Sequence, residues 1–296
     1  MNILDRSVLK IDQWQQRSPL KFPIAVIKKY GDDDASHQAA LITYYVFLSL
    51  VPRLMVMTSI VGILSLGDKA LEADVLKSVS SYFPVLGEQL SRNIQASTKS
   101  GAALAVGLVL AFYGARSGAE AFRVALNNLW RIPKQKRQGF PWSTLKSLAM
   151  TTLGGTGLLS AALLSASTAS LSRLFIFKVL SLLASLILLV PTFYYLFRAS
   201  VPRDIAPRRS LIGNAITASL VIVVMQAFGA YLVSSQLKTL SPLYGTFALV
   251  LGLLFWIYIQ AVAVLYTVEA TTVKYYNYYP RSISGKTLTT ADKKLS

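Results

Sequence analysis

The feature that most constrains this chain is a series of six apolar segments, each close to the ~20 residues that a helix needs to cross a bilayer. They cover residues 39–66, 102–123, 145–168, 174–197, 211–233 and 244–268. Backbone polar groups in lipid have to be hydrogen-bonded within the protein, which favours helices in such segments. We therefore predict an all-α, polytopic membrane protein of about six transmembrane helices with amphipathic interfacial helices.

The distribution of charge supports this prediction and sets a topology. Only 15% of the 296 residues are charged, yet the net charge is +17. Twenty Lys and Arg residues lie in the two termini and the connections after the second and fourth spans, against six in the other three connections. This asymmetry predicts cytoplasmic N- and C-termini. Because topology explains most of the basic charge, no nucleic-acid partner is expected.

The predicted spans divide the chain into three parts. Residues 1–37 form a cytoplasmic amphipathic segment, residues 38–276 the six-helix transmembrane domain, and residues 277–296 a cytoplasmic polar tail. In the outer loop 67–100, apolar residues at helical spacing predict two short amphipathic helices. In the N-terminal segment, Ile24 and Ile27 with Lys21, Lys28 and Lys29 nearby predict a helix that lies on the cytoplasmic membrane surface.

Ionisable residues inside the spans are the best pointers to function, since each costs several kcal/mol unless it is paired or hydrated. Arg53 lies near the middle of the first span, directly after Pro52, which removes a backbone donor. Two interpretations stay open for Arg53: a structural ion pair with a carboxylate, or a charge that faces a hydrated, substrate-accessible cavity.

A second group lies on the second span. Arg116, Glu120 and Arg123 are spaced four and three residues apart, which puts them on one helix face. They are interpreted either as a substrate-binding stripe or as an ion pair at the membrane interface. Gly114 and Gly118 on the same helix predict close helix packing.

The remaining polar residues suggest supporting roles. Glu269, near the end of the sixth span, is a candidate partner for an arginine, and the Asp32–Asp34 run is expected to cap the first span. Gly154, Gly155 and Gly157 lack the Lys-Ser/Thr of a phosphate-binding loop and predict helix packing instead. The chain has one histidine and no cysteine, so we expect no metal site, no cofactor and no enzymatic activity.

Several stretches resemble the YihY/virulence factor BrkB family in their order and spacing. They are 43–52 (TYYVFLSLVP), 126–130 (LNNLW) with Arg137 and Phe140 after it, 201–204 (VPRD), 244–246 (YGT) and 255–258 (FWIY). The resemblance covers roughly residues 19 to 279. The chain departs from the family at Arg53, where an apolar residue is usual. It departs again at 267–269 (TVE), which keeps only the acid of the family's Gly-Ala-Glu.

The resemblance implies a bacterial inner-membrane protein with a role in moving lipids or anions. We therefore expect a transporter or translocase of an anionic lipid or similar amphiphile, with membrane lipids as partners. Its expected substrate-binding residues are Arg53, Arg116, Glu120, Arg123 and Glu269. The alternative is a non-transporting scaffold in envelope organisation. Some family members carry the name ribonuclease BN, but the single histidine argues against a nuclease. A homo-oligomer stays open.

Overall fold

The fold is described here from a computed structural model. It covers residues 19–64, 101–137, 139, 141–171, 175–282 and 289–295, with only the backbone described for residues 50–64, 101–113, 115, 158–171, 175–178, 181, 227–249 and 295. The helices are α1 Lys21–Asp32, α2 Ala35–Leu64, α3 Gly101–Leu129, α4 Trp142–Leu171, α5 Phe175–Ser200, α6 Arg208–Tyr276 and α7 Thr290–Leu295. A short 3₁₀ turn, Lys134–Lys136, follows α3. Throughout these residues the regular structure is helical, which confirms the predicted all-α class.

The long helices cover the predicted spans. Helices α2 to α5 contain most of the first four spans, and α6 contains the fifth and sixth. Three described stretches are long and apolar enough to cross a membrane: Leu182–Ser200, Arg208–Gln226 and Val250–Tyr276. The predicted outer loop 67–100, with its two amphipathic helices, lies outside the described residues.

Helix α6 passes through the bundle twice. A straight helix of its 69 residues would be roughly 100 Å long. However, both ends of α6 have contacts near the end of α3. Just before α6, Asp204 accepts a hydrogen bond from Lys136, which follows α3. Near the other end of α6, Glu269 accepts a hydrogen bond from Lys29, which also donates to the carbonyl of Leu129, the last residue of α3. Both ends of α6 therefore lie beside the end of α3. The helical run must reverse direction, which agrees with two predicted spans.

The outer surface of the bundle suits lipid. On the first half of α6, Ile212, Ile216, Leu220 and Val224 form a stripe at four-residue spacing, each between 44% and 60% exposed. The opposite face is buried in the core. Hydroxyl groups on the apolar helices donate to carbonyls of their own helix, as at Thr156, Thr192 and Ser219. These bonds satisfy polar groups where no water is available.

Glycines bring two pairs of helices close together, as predicted. A Cβ added at Gly114 would lie 3.3 Å from Ser49 Cα, so α3 packs directly on α2 there. A Cβ added at Gly157 would overlap Thr192 Oγ1, which sets the close approach of α4 and α5. Gly155 faces open space, so it has no role in this contact.

One end of the bundle carries most of the described ionic contacts. We call it the charged end. It consists of α1, the connections after α3 and α5, and residues 277–282 with α7. The helix α1 packs on the last part of α6, where Tyr30 stacks on Tyr266 with ring centroids 4.0 Å apart.

Candidate functional site

Two charged clusters lie at or near the charged end. The first, the basic cluster, consists of Arg116, Glu120 and Arg123 on α3 together with Lys146 of α4 and Arg198 of α5. The second, the Lys29 cluster, consists of Lys29, Asp33, Arg131 and Glu269. The two clusters differ in burial and in charge balance.

The basic cluster begins with an ion pair on α3. Arg123 is buried and donates from both Nε, at 3.1 Å, and Nη2 to the carboxylate of Glu120. Ser147, at the start of α4, donates to Glu120 Oε2 at 2.9 Å and so ties α4 to α3. Arg116, one turn earlier on α3, is half-buried and attracts the same carboxylate. The predicted shared face of these three residues is therefore confirmed, and their binding role stays a prediction.

Two further cations complete the basic cluster. Lys146, in the first turns of α4, and Arg198, in the last turn of α5, are half-buried and lie within electrostatic range of each other. Lys146 also interacts with Arg123. From the sequence, both residues were counted among the charges of the connections between spans, and their proximity was not predicted. Their positions within the terminal turns of apolar helices were the signal that could have indicated it.

One exposed carboxylate lies near this cluster. Asp204, in the connection after α5, accepts a hydrogen bond from Lys136 Nζ at 2.8 Å. That bond holds the pKa of the Asp204 carboxyl below its ordinary value. Because the side chains of Lys136 and Asp204 are both exposed to solvent, Asp204 compensates little of the positive charge of the basic cluster.

The Lys29 cluster is buried. Lys29 Nζ donates to Glu269 Oε2 at 2.6 Å, to Asp33 Oδ2 at 2.6 Å and to the Leu129 carbonyl at 2.9 Å. The side chains of Lys29 and Glu269 have no exposed surface. The ammonium group thus joins α1, α3 and α6, and it lies at the C-terminus of α3, where a positive charge is favoured.

Asp33 connects this cluster to the surface. Its second oxygen accepts a hydrogen bond from Arg131 at 3.0 Å. Arg131 follows α3 with φ of 51°, and the backbone N–H groups of Arg131 and Ile132 bond back to Asn128 and Asn127. In this helix-ending motif glycine is the usual residue, so an arginine here carries backbone strain.

A polar cleft of about 490 Å³ opens beside Asp33 at the charged end. Its lining comes from the α1–α2 turn and from the connection after α3, and it consists of Asp32, Asp33, Asp34, Gln38, Asn128, Arg131, Ile132, Pro133, Lys134 and Arg137. The cleft gives water a path to the carboxylate of Asp33.

Two expectations were wrong at this end. Glu269 pairs with Lys29 and not with an arginine, because α1 packs on α6 and brings the lysine to it. Lys29 is buried rather than at the membrane surface, for the same reason. Within the Asp32–Asp34 run, Asp33 binds Lys29 and Arg131, and the capping of α2 by this run stays a prediction.

The C-terminal segment is also more than a polar tail. Arg281 and Asp292 are buried and joined by a hydrogen bond of 2.9 Å, and Arg281 also pairs with Asp32 of α1. Burial by itself raises the pKa of the Asp292 carboxyl. Hydrogen bonds from the Ser282 and Thr289 backbone, with Arg281, nevertheless hold that pKa well below its ordinary value. The segment is thus fastened to α1.

The predicted site residue Arg53 lies on α2, and its side chain is outside the described residues. Among the residues with described side chains, no group of three His, Asp or Glu is arranged to hold a metal ion. Asp32, Asp33 and Asp34 each face a cationic group or His37 instead.

Comparison with known proteins identifies relatives among membrane proteins. A UPF0761 membrane protein of Alkalilimnicola ehrlichii is 27% identical over 267 residues, covering 86% of this chain and 58% of the relative. One from Psychrobacter is 26% identical over 257 residues, covering 82% and 46%. One from Vibrio vulnificus is 25% identical over 256 residues, covering 83% and 80%. The chain therefore spans about half the length of the first two relatives.

No solved structure matches the chain. The sequence model of the family described as "Virulence factor BrkB" matches residues 26–287, which is nearly the whole chain and agrees with the resemblance seen in its motifs. The apolar helices and the membrane-protein relatives agree with this match. The chain is an integral membrane protein and belongs to the virulence factor BrkB family.

Proposed function

We propose that this protein transports or translocates an anionic amphiphile, a lipid with a phosphate headgroup, and that the basic cluster binds the headgroup. The observation that supports this is the charge balance of the cluster. The cluster contains four half-buried or buried cations and one carboxylate, Glu120; Arg116 and Arg123 attract that carboxylate, and Lys146 lies within electrostatic range of Arg123 and Arg198. Charge-assisted hydrogen bonds from arginine and lysine are the strong contacts to a phosphate group.

The position of the cluster suits an amphiphile better than a small ion. Lys146 follows Trp142 and Leu145, which are 67% and 59% exposed on the outer face of α4. Exposed tryptophan next to lysine is typical of the membrane interface. A headgroup held by Lys146 and Arg198 could therefore keep its acyl chains against this apolar face.

The residues of the cluster take different parts in this proposal. Arg116, Lys146 and Arg198 bind the anion, while Glu120 holds Arg123 in place through two hydrogen bonds. Arg53 is proposed to extend the pathway deeper into the membrane. Glu269 belongs to the Lys29 cluster and is not assigned to the headgroup. We further propose the bacterial inner membrane as the location, with both termini cytoplasmic.

Transbilayer movement of a fluorescent phosphatidylglycerol in proteoliposomes tests the proposal. Wild-type protein should accelerate the movement, and a Lys146→Gln/Arg198→Gln double variant should slow it by roughly tenfold or more. The reason is that each lost charged contact is worth more than ~1.4 kcal/mol, the equivalent of a factor of ten. Lys274→Gln, which removes an exposed cation at the end of α6, is the matched control and should match wild type.

Native mass spectrometry of the gently solubilised protein provides a second readout. Wild-type protein should retain an anionic lipid that the double variant releases. If wild-type protein neither moves nor retains anionic lipid, the proposal fails and the scaffold alternative is favoured. Equal activity in wild type and in the folded double variant would remove the basic cluster from the mechanism.

A further inference from the structure

The Lys29 cluster contains a carboxylate with one unpaired oxygen. Glu269 Oε2 accepts hydrogen bonds from Lys29, at 2.6 Å, and from Thr272, at 3.2 Å. Glu269 Oε1 is buried and accepts no hydrogen bond from the residues that the structure describes. An ionised carboxylate in this position leaves half of its charge without a partner, which is costly away from water.

The cation of the cluster is shared. Lys29 has three N–H donors, and Glu269, Asp33 and the Leu129 carbonyl take one each. Lys29 therefore faces two buried carboxylates with a single positive charge. Arg131 donates to the other oxygen of Asp33, Oδ1, at 3.0 Å. If Glu269 takes up a proton, each of the two charged pairs Lys29–Asp33 and Asp33–Arg131 stays intact.

The cluster also has a route to water. Asp33 lines the open cleft, and hydrogen bonds of 2.6 Å lead from it to Lys29 and from Lys29 to Glu269. A proton can therefore reach the buried carboxylate without separation of the helices. We propose that Glu269 is a proton-binding site of this protein, loaded from the cleft through Asp33 and Lys29.

The transfer conserves protons and charge at each step. Asp33 takes a proton from a hydronium ion in the cleft, which leaves a water molecule. Lys29 then passes one ammonium proton to Glu269, and the neutral amine takes the proton held by Asp33. The ammonium group and the Asp33 carboxylate are restored, and the net result is one proton moved from the cleft to Glu269.

The other titratable groups that face this site are Tyr30 of α1, Tyr266 of α6 and Arg131, and α3 contributes the Leu129 carbonyl. Burial raises the pKa of Tyr30 to about 12, so Tyr30 is neutral at any physiological pH. Of the two carboxylates that share Lys29, Glu269 is the one with an oxygen that accepts no hydrogen bond from the described residues, so an added proton can stay there.

Protonation of Glu269 has a structural consequence. It removes the ionic attraction between Lys29 and α6, while Lys29 keeps its bonds to Asp33 and to the end of α3. The contact of α1 with α6 should therefore weaken and the contact of α1 with α3 should persist. If the proposed function also holds, this change takes place beside the end of α3, the helix that carries Arg116, Glu120 and Arg123, and it offers a way to couple proton uptake to anion movement.

Infrared difference spectroscopy of the full chain in lipid nanodiscs tests the site directly. Acidification from about pH 8 to about pH 5, above the ~4.3 of an ordinary glutamate, should produce the C=O band of a buried carboxylic acid. The band should be absent in Glu269→Gln and unchanged in Glu120→Gln, the matched control on α3. A band that persists in Glu269→Gln, or no band in wild type, would overturn the proposal.

A second variant tests the role of Lys29. In Lys29→Met the carboxylate loses its cation, so the acid band should already be present at about pH 8 and should no longer respond to acidification. A response like that of wild type would overturn the relay. Should Glu269→Gln not fold, the Lys29→Met/Glu269→Gln double variant removes both charges and supplies the same spectral comparison. Neither readout requires transport, so failure here is distinct from failure of the proposed function.

Discussion

Lys29 Nζ and Glu269 Oε2 lie 2.6 Å apart, although 240 positions separate them in the chain. The pair joins the first described helix to the last part of α6, and Arg281 and Asp32 join the C-terminal segment to the same helix. The two ends of the described chain are therefore held together over one end of the bundle. The stability of this arrangement can be tested residue by residue.

Loss of the cation alone should destabilise the protein strongly. Lys29→Met leaves Glu269 buried without its partner, so the carboxyl has to take up a proton and loses its bond to the ammonium group; removal of one member of a buried pair costs roughly 3–5 kcal/mol. The double variant Lys29→Met/Glu269→Gln requires no proton uptake at position 269 and should recover much of that loss. Thermal unfolding in detergent, followed by size-exclusion chromatography, measures both effects. Equal stability of the single and double variants would show that the two residues are not coupled.

The contact between α4 and α5 should tolerate no methyl group at Gly157. Gly157→Ala places a Cβ against Thr192 Oγ1 and should cost about 1–3 kcal/mol by overpacking. Gly155→Ala, two residues away, meets no atom within 4 Å and should be neutral or stabilising by up to ~1 kcal/mol, as expected for a helix interior. The difference in unfolding midpoint between these variants is the measurement. No difference would exclude the close packing described here.

The C-terminal segment should be released when Asp292 is neutralised. The chain has no cysteine, so a single Ala291→Cys substitution gives a unique reporter at a position that is 2% exposed. Maleimide should label it slowly in the parent protein and much faster, by roughly tenfold or more, when Asp292→Asn removes the charged hydrogen bonds. Lys294→Cys, which is exposed, should be labelled rapidly in both backgrounds.

The same reporter gives a pH dependence. The folded-state pKa of Asp292 lies below the unfolded value of about 3.9, so the ionised carboxylate contributes its full stabilisation above that value. This stabilisation is lost as the pH falls through the folded-state pKa. Protection of Ala291→Cys, corrected for the reactivity of a free thiol, should therefore stay constant between roughly pH 5 and pH 8. Deprotection within that window would show that another group controls the contact.

The orientation in the membrane can be tested with two further reporters at the charged end. Single Lys134→Cys and Lys294→Cys variants should both resist a membrane-impermeant maleimide in intact cells and react after permeabilisation, because basic connections stay in the cytoplasm. A reporter in the predicted outer loop 67–100 should behave in the opposite way. Labelling of Lys134→Cys in intact cells would reverse the proposed topology.

The sequence by itself determined the class of this protein. Apolar segments of bilayer length and the Gly114 and Gly157 positions are local patterns, and the packed apolar helices that they predict agree with the structure. The spacing of Arg116, Glu120 and Arg123 along one helix was equally local. Hence the shared face of these residues could be predicted before the fold was known.

Only the tertiary structure decided which charges meet. From the sequence, Lys29 was expected at the surface because it lies on an amphipathic helix with other cations. Nothing near Lys29 in the sequence indicates that it forms an ion pair with the carboxylate of Glu269. Lys146 and Arg198 likewise come from two different connections and converge through the packing of α3, α4 and α5. Ionic partners are chosen by distances across helix contacts, and these distances depend on how the whole chain packs rather than on any local pattern.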